Sequence, residues 1–174
     1  MTLPTSVSSA PSTVASSTTT SVTRRRSDLR RLRMSDPAVR ALTDFLQHPP
    51  LTIAEDCELD SALDDMFRLG VRAFLVVRNR KVVGLITVED IRAVRRRAGM
   101  HVGEVMTGAS DMPAIDWDTL QESSIRDLID IFAGARINHL VVLERKSPLR
   151  ASVRGIVHRS RIDSRLLPLG GRVL

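Results

Sequence analysis

The chain has 174 residues, 43% hydrophobic, 26% charged and only 3% aromatic, so Leu, Ile, Val and Met must build the core of one domain or two small ones. A single cysteine, Cys57, excludes an internal disulfide and fits a reducing compartment, and its acidic neighbours Asp56 and Glu58 disfavour a thiolate nucleophile. No apolar run approaches the ~20 residues of a membrane-spanning helix, and the N-terminus lacks the apolar centre of a secretory signal; together these point to the cytoplasm.

Residues 1–23 are mostly Ser, Thr, Ala, Val and Pro, without charge or aromatic side chains. They cannot bury enough apolar surface to offset the entropy of ordering, so the segment reads as disordered. An organellar transit peptide has a similar Ser/Thr-rich, acid-poor start. The net charge of +6 has a local source: Arg24, Arg25, Arg26, Arg30, Arg31 and Arg33, against Asp28 alone, supply +5 within ten residues. The remainder is nearly neutral, which excludes a general polyanion-binding surface. The basic end of this 1–34 tail reads as a solvated segment or as a contact for nucleic acid or acidic lipid.

Order begins at Ser35-Asp36-Pro37, a capping side chain with proline at the first turn. Val39, Leu42, Phe45 and Leu46 recur at helical spacing and predict an accessory helix within 35–50, ended by Pro49-Pro50. A short strand, Leu51-Thr52-Ile53, leads to a helix with Leu59, Leu63, Met66 and Phe67 on one face, closed by Gly70. Phe74-Leu75-Val76-Val77 and Val82-Val83-Gly84-Leu85-Ile86 form a hairpin through Arg78-Asn79-Arg80-Lys81. Thr87 then caps a helix running through Ile91 and Val94 to about Ala98.

The same order returns: a strand at Pro113-Ala114-Ile115, a helix marked by Ile125, Leu128, Ile131 and Phe132, and strands at Asn138–Leu143 and Val153–Val157. Leu63, Met66, Phe67, Val76 and Val77 shifted by 65 fall on Leu128, Ile131, Phe132, Val141 and Val142, while Ile53 shifts by 62 to Ile115 and Gly84 by 71 to Gly155. A repeat this short must stack on its neighbour to complete a core.

Each copy resembles a CBS (cystathionine-β-synthase-type) domain. The resemblance rests on Leu59, Ala62, Gly70, Leu75-Val76-Val77 and above all Gly84-Leu85-Ile86-Thr87-Val88-Glu89-Asp90-Ile91, and on Val105-Met106-Thr107 at the opening of the second copy. It implies an α/β fold, a tandem CBS-domain pair (a Bateman module) with two pseudo-twofold-related small sheets and flanking helices. The domains expected are CBS domain 1 at 51–98, CBS domain 2 at 101–165 and a C-terminal tail at 166–174.

The resemblance also implies function. Such pairs take up AMP, ADP, ATP or S-adenosylmethionine between their halves as regulatory ligands. They commonly form homodimers, and they pass the signal to an effector protein without catalysis or an obligatory cofactor; the alternatives are a nucleic-acid-associated regulator using the Arg-rich N-terminal segment and a dimerisation scaffold with both clefts empty. Asp90 would accept from the ribose hydroxyls, Thr87 would sit near ribose or phosphate, and backbone at Thr52-Ile53 and Ala73-Phe74 would flank the adenine. A carboxylate offers two acceptors to a vicinal diol. Yet Thr87-x-x-Asp90 is also a capping box, worth about 1 kcal/mol to any helix after a strand. The second copy departs from the pattern, with His158 in place of the Thr and Arg161 in place of the Asp. That site is lost, or its basic residues, Arg161 among them, face a ligand phosphate; His139, at a strand start, is a further phosphate contact or a satisfied structural histidine.

His48, His101, His139 and His158 show no metal-binding spacing, and no Gly-x-Ser-x-Gly, Walker-type or GxGxxG motif occurs. Arg92, Arg95 and Arg96 form a solvated helix face or a guide for nucleotide phosphates. Gly170-Gly171 belongs to a loose tail.

Overall fold

The computed structural model describes residues 31–95, 98–147 and 150–166. The expected disordered segment 1–23, Arg24–Arg26, Arg30, Arg96, Arg97 and Gly170-Gly171 lie outside the described residues.

The first half carries β2 (Thr52–Ala54), α1 (Leu59–Leu69), β3 (Ala73–Arg78), β4 (Lys81–Thr87) and α2 (Val88–Ala93), after a short β1 (Thr43–Asp44). Helix α1 stops where Gly70 takes the left-handed conformation (φ 66°). The Gly70 N–H donates to the Phe67 carbonyl and the Val71 N–H to that of Met66, a Schellman closure that satisfies two terminal acceptors. The hairpin turns on Asn79 and Arg80, both with positive φ (50° and 63°). That backbone twist matches the right-handed twist of the flanking strands.

A linker with α3 (Val102–Val105) and β5 (Thr107–Gly108) leads to the second half: β6 (Ala114–Asp116), α4 (Trp117–Glu122), α5 (Ile125–Ala135), β7 (His139–Ser147), β8 (Arg150–His158) and α6 (Arg159–Asp163).

Each half has a four-stranded mixed sheet, ordered β2-β3-β4-β5 in the first and β6-β7-β8-β1 in the second. In each, the first strand pairs parallel with the first strand of the hairpin, and the other two pairings are antiparallel. The edge strands are exchanged. β1 precedes the first half yet pairs with β8, Thr43 opposite Ile156, while β5 precedes the second half yet pairs with β4, Thr107 opposite Leu85. The cores are exchanged likewise. Leu32, Ala38 and Ala41 pack with Leu120, Ile125, Leu128 and Phe132, whereas Val102, with Met100 and Val105 against it, packs with Leu59, Ala62 and Met66. A third apolar cluster, around Leu75, Leu85 and Val141, joins the inner faces of the two sheets.

Three sequence expectations change. Residues 35–50 are not a helix: one 3-10 turn, Ala38–Ala41, gives way at Leu42 to the extended β1. Val39, Leu42 and Phe45 recur at helical spacing because they meet apolar neighbours from the second half, Val39 and Leu42 at its core and Phe45 between the sheets. Helix α2 ends at Ala93, with Val94 extended, not near Ala98. The repeat register from helix to hairpin strand is 66, not 65. The N-caps Glu58 and Ser124, the buried stripes Leu59/Ala62/Met66 and Ile125/Leu128/Phe132, and the left-handed caps Gly70 and Arg136 all match at that offset. Phe67 therefore corresponds to Ala133 and not to Phe132. It lies about 100° round the helix from Met66 and is 59% exposed, with the Arg92 guanidinium 5.8 Å from its ring centre.

Candidate functional site

The alternation of side chains along β3 and β4 sorts the expected site residues onto two faces. Phe74 and Ile86 are paired and belong to the core under the helices; Leu75 and Leu85, the next pair, face the other sheet. Ala73 and Thr87 are paired on that same inner face, and Thr52, paired with Leu75 on the parallel strand β2, joins them. Ile53 and Phe74 point away, into the first core, so only their backbone is available to a ligand. The structure thus brings Thr52, Ala73, Thr87 and Asp90 toward one inner face and withdraws the side chains of Ile53 and Phe74.

Thr87 ends β4 in extended geometry (φ −119°, ψ 161°) and is 8% exposed. Its hydroxyl accepts from the Asp90 N–H (3.1 Å) and donates to Asp90 Oδ2 (2.8 Å), while its own N–H donates to the same oxygen (2.9 Å). The capping box is complete, and it uses one carboxylate oxygen only. Asp90 Oδ1 has no hydrogen-bond partner among the described residues, nor has the hydroxyl of Thr107. Thr107 is a site candidate the sequence reading passed over. Its signal was present in Val105-Met106-Thr107, which matches Ala41-Leu42-Thr43 at an offset of 64, the offset that also relates β5 to β1.

The second half is chemically different at each corresponding position. His139 and His158 are cross-strand partners where the first half has Ala73 and Thr87, and their rings meet edge-on at 4.3 Å. Burial, then His158 and Arg72, push the His139 pKa down to about 3, so this imidazole, 6% exposed, is neutral at physiological pH. Burial and Arg72 lower the His158 pKa too, against the pull of Glu89 and Asp163. His158 Nδ1 accepts from the Ser160 N–H (3.0 Å), which leaves the proton on Nε2, a buried atom without a hydrogen-bond partner among the described residues. Arg161, at the position of Asp90, donates from Nη1 to the Thr43 hydroxyl of the exchanged strand (2.7 Å).

Elsewhere, burial and then the carboxylates of Asp65, Asp56 and Glu58 raise the Cys57 thiol pKa, the opposite of what a nucleophile needs. Asp116, Trp117, Asp118, Leu143, Glu144 and Arg145 line an open polar cavity of about 280 Å³ on the second half, where Asp116 is paired with Arg145 (2.9 Å). Among the described residues no helix is long and apolar enough to cross a membrane.

Two αβ halves with exchanged edge strands, packed inner face to inner face, define the architecture of a CBS-domain pair, and residues 42–97 match the family model for the CBS domain. The chain has the fold of a CBS-domain pair, and the family match falls on its first half. A curated relative, the uncharacterized protein YlbB of Bacillus subtilis (strain 168), is 28% identical over 90 residues; the match covers 50% of this chain and 61% of that relative.

Among solved structures, an uncharacterized conserved protein from Pyrococcus horikoshii superposes with a TM-score of 0.57 at 20% identity, covering 74% of this chain and 90% of that one. CBSX2, a CBS-pair protein of Arabidopsis thaliana, solved in complex with AMP, gives 0.54 at 15% identity over 74% and 93%. A CBS-domain pair in complex with 5′-methylthioadenosine and S-adenosylmethionine gives 0.51 at 19% identity over 71% and 92%.

Proposed function

We propose that the first half holds one adenosine-containing ligand (AMP, ADP, ATP or S-adenosylmethionine) and that the chain is a non-catalytic regulatory module. The observation that carries this reading is Asp90 Oδ1, a carboxylate oxygen left unpaired while its twin is fixed by the Thr87 cap. The cap immobilises the carboxylate, so a ribose diol meets a pre-oriented acceptor and little side-chain entropy is lost on binding. Thr52, Ala73 and Thr87 share that inner face, and the backbone of β2 and β3 flanks the base. The two similar structures solved with adenosine-containing ligands support the ligand class. Occupancy shifts the balance between arrangements of the two halves. That shift passes to an effector protein or to the geometry of a homodimer, by as much as the ligand's affinities for the two arrangements differ.

The test is a thermal-shift titration with AMP, ADP, ATP, S-adenosylmethionine and NADH on wild type, Asp90→Ala and Asp127→Ala. Ser124 and Asp127 form the corresponding capping box of α5, so Asp127→Ala removes a cap without touching the proposed site. A ligand at a hundredfold excess over its Kd stabilises the native state by about 2.7 kcal/mol. The expected result is a shift with one adenosine ligand that survives Asp127→Ala and vanishes in Asp90→Ala. No shift with any of the five at millimolar concentration overturns the reading.

A further inference from the structure

We infer that Arg161 turns the second half's counterpart of the nucleoside site into an anchor for the chain's own N-terminal arm, residues 32–45. The substitution of Arg for the acceptor Asp is visible in the sequence, but what the guanidinium holds is visible only in the fold. Asp90 and Arg161 are equivalent at an offset of 71, as are Thr87 and His158; Thr107 and Thr43 are equivalent at 64. In the first half the Asp90–Thr107 place is unbridged. In the second the longer, cationic side chain spans it, and Nη1 reaches the Thr43 hydroxyl at 2.7 Å in a partly buried setting.

That bond is one of a set tying the arm to the β8–α6 region. Arg154 grips Asp44 through two hydrogen bonds of 3.0 Å, the Phe45 N–H donates to the Arg154 carbonyl (2.9 Å), Arg165 Nη1 donates to the Arg40 carbonyl (3.0 Å), and the Leu32 N–H donates to the Arg165 carbonyl (2.7 Å). Arg161 is the member of this set that stands where a ribose acceptor is required. A guanidinium has five donors and no acceptor, so it serves a threonine oxygen and fails a ribose diol. The anchor is read from these contacts alone. Its corollary, one nucleoside ligand per chain, rests on the function proposed above.

Hydrogen exchange by mass spectrometry on the full chain without ligand tests the anchor, with Thr43→Val and Arg161→Gln alone and combined. Loss of a hydrogen bond to a charged group corresponds to roughly tenfold faster local exchange. Each single variant should show about that increase in peptides covering residues 40–46. The double should be no faster than either single, and peptides of α1 should not change. Unchanged exchange in both singles, or additive effects in the double, overturns the anchor. A calorimetric titration of wild type with AMP then tests the corollary: one AMP per chain agrees with it, and two per chain overturn it. Absence of AMP binding would count against an AMP site while leaving the exchange result to decide the anchor.

Discussion

Gly84 and Gly155 occupy the same place in the two sheets, and each lies directly beneath a strand delivered from the other half. A Cβ on Gly84 would fall 2.6 Å from the Thr107 carbonyl oxygen and 2.8 Å from Met106 Sδ; one on Gly155 would fall 2.6 Å from Leu42 Cδ1 and closer still to the Thr43 carbonyl oxygen. Neither residue has a positive φ, so it is the close passage of backbone that demands glycine here. Gly84→Ala and Gly155→Ala should each destabilise by about 1–3 kcal/mol through overpacking. Thermal unfolding reads the effect as a Tm several degrees lower. An unchanged Tm in both would mean that the exchanged strands yield to a methyl group.

The two phenylalanines of α1 and α5 look alike in sequence and are not alike in cost. Phe132 is fully buried and Phe67 is 59% exposed. Phe132→Ala should lose about 3–5 kcal/mol, whereas Phe67→Ala should lose less than about 1 kcal/mol, the value of a solvated cation–π contact with Arg92. Urea unfolding of the two variants compares them directly. Equal losses would contradict the register of 66.

Stability should fall with acid through His139. Its folded pKa of about 3 lies below the 6.5 of the free side chain, so the unfolded chain binds a proton that the folded chain refuses. The contribution is fully present above pH 6.5 and is lost as pH falls from there toward 3. In a series of melts from pH 7.5 to pH 4, His139→Leu should flatten the decline relative to wild type. Parallel declines would show that His139 titrates normally in the folded protein.

The Asp44–Arg154 pair has an optical reporter, because the Arg154 guanidinium lies 4.4 Å from the ring centre of Trp117, the chain's only tryptophan. Both partners are largely buried, with side chains 15% and 16% exposed, and Arg154 is the largest cause lowering the Asp44 carboxyl pKa. Arg154→Leu should change the Trp117 emission and cost about 2 kcal/mol, the worth of hydrogen bonds to a charged group. Unaltered emission would mean that the guanidinium does not reside over the ring in solution.

What the sequence made legible was whatever repeats with a local period. The first hairpin, the Gly70 stop and the Thr87–Asp90 capping box each depend on residues only a few positions apart, and each forms where expected, whereas the second hairpin pairs on through Glu144–Ser152 and Arg145–Ala151, where a long turn was expected. The exchanged strands were not legible, because β1 and β5 are two residues long and carry no alternation. The arm deceived for the same reason: 3.6-residue spacing in Val39, Leu42 and Phe45 is also produced by a tight turn followed by extended chain against two apolar surfaces. The off-by-one register came from matching Phe67 to Phe132 by residue type, where burial pairs Met66 with Phe132. Arg161 could be recognised as a departure from its repeat partner, yet its bond to Thr43, 118 positions away, belongs to the fold alone.

The exchange of edge strands makes the unit of sequence different from the unit of structure. A stretch such as residues 34–98 contains every segment of one repeat, yet cut free it would leave its sheet without its fourth strand and its core without its lid, while carrying the strand and lid that fit a different sheet. Two such stretches would complete each other. The molecule is organised like a domain-swapped dimer within one chain, so neither half is a portable module: each is completed by a strand and a lid that the other half carries.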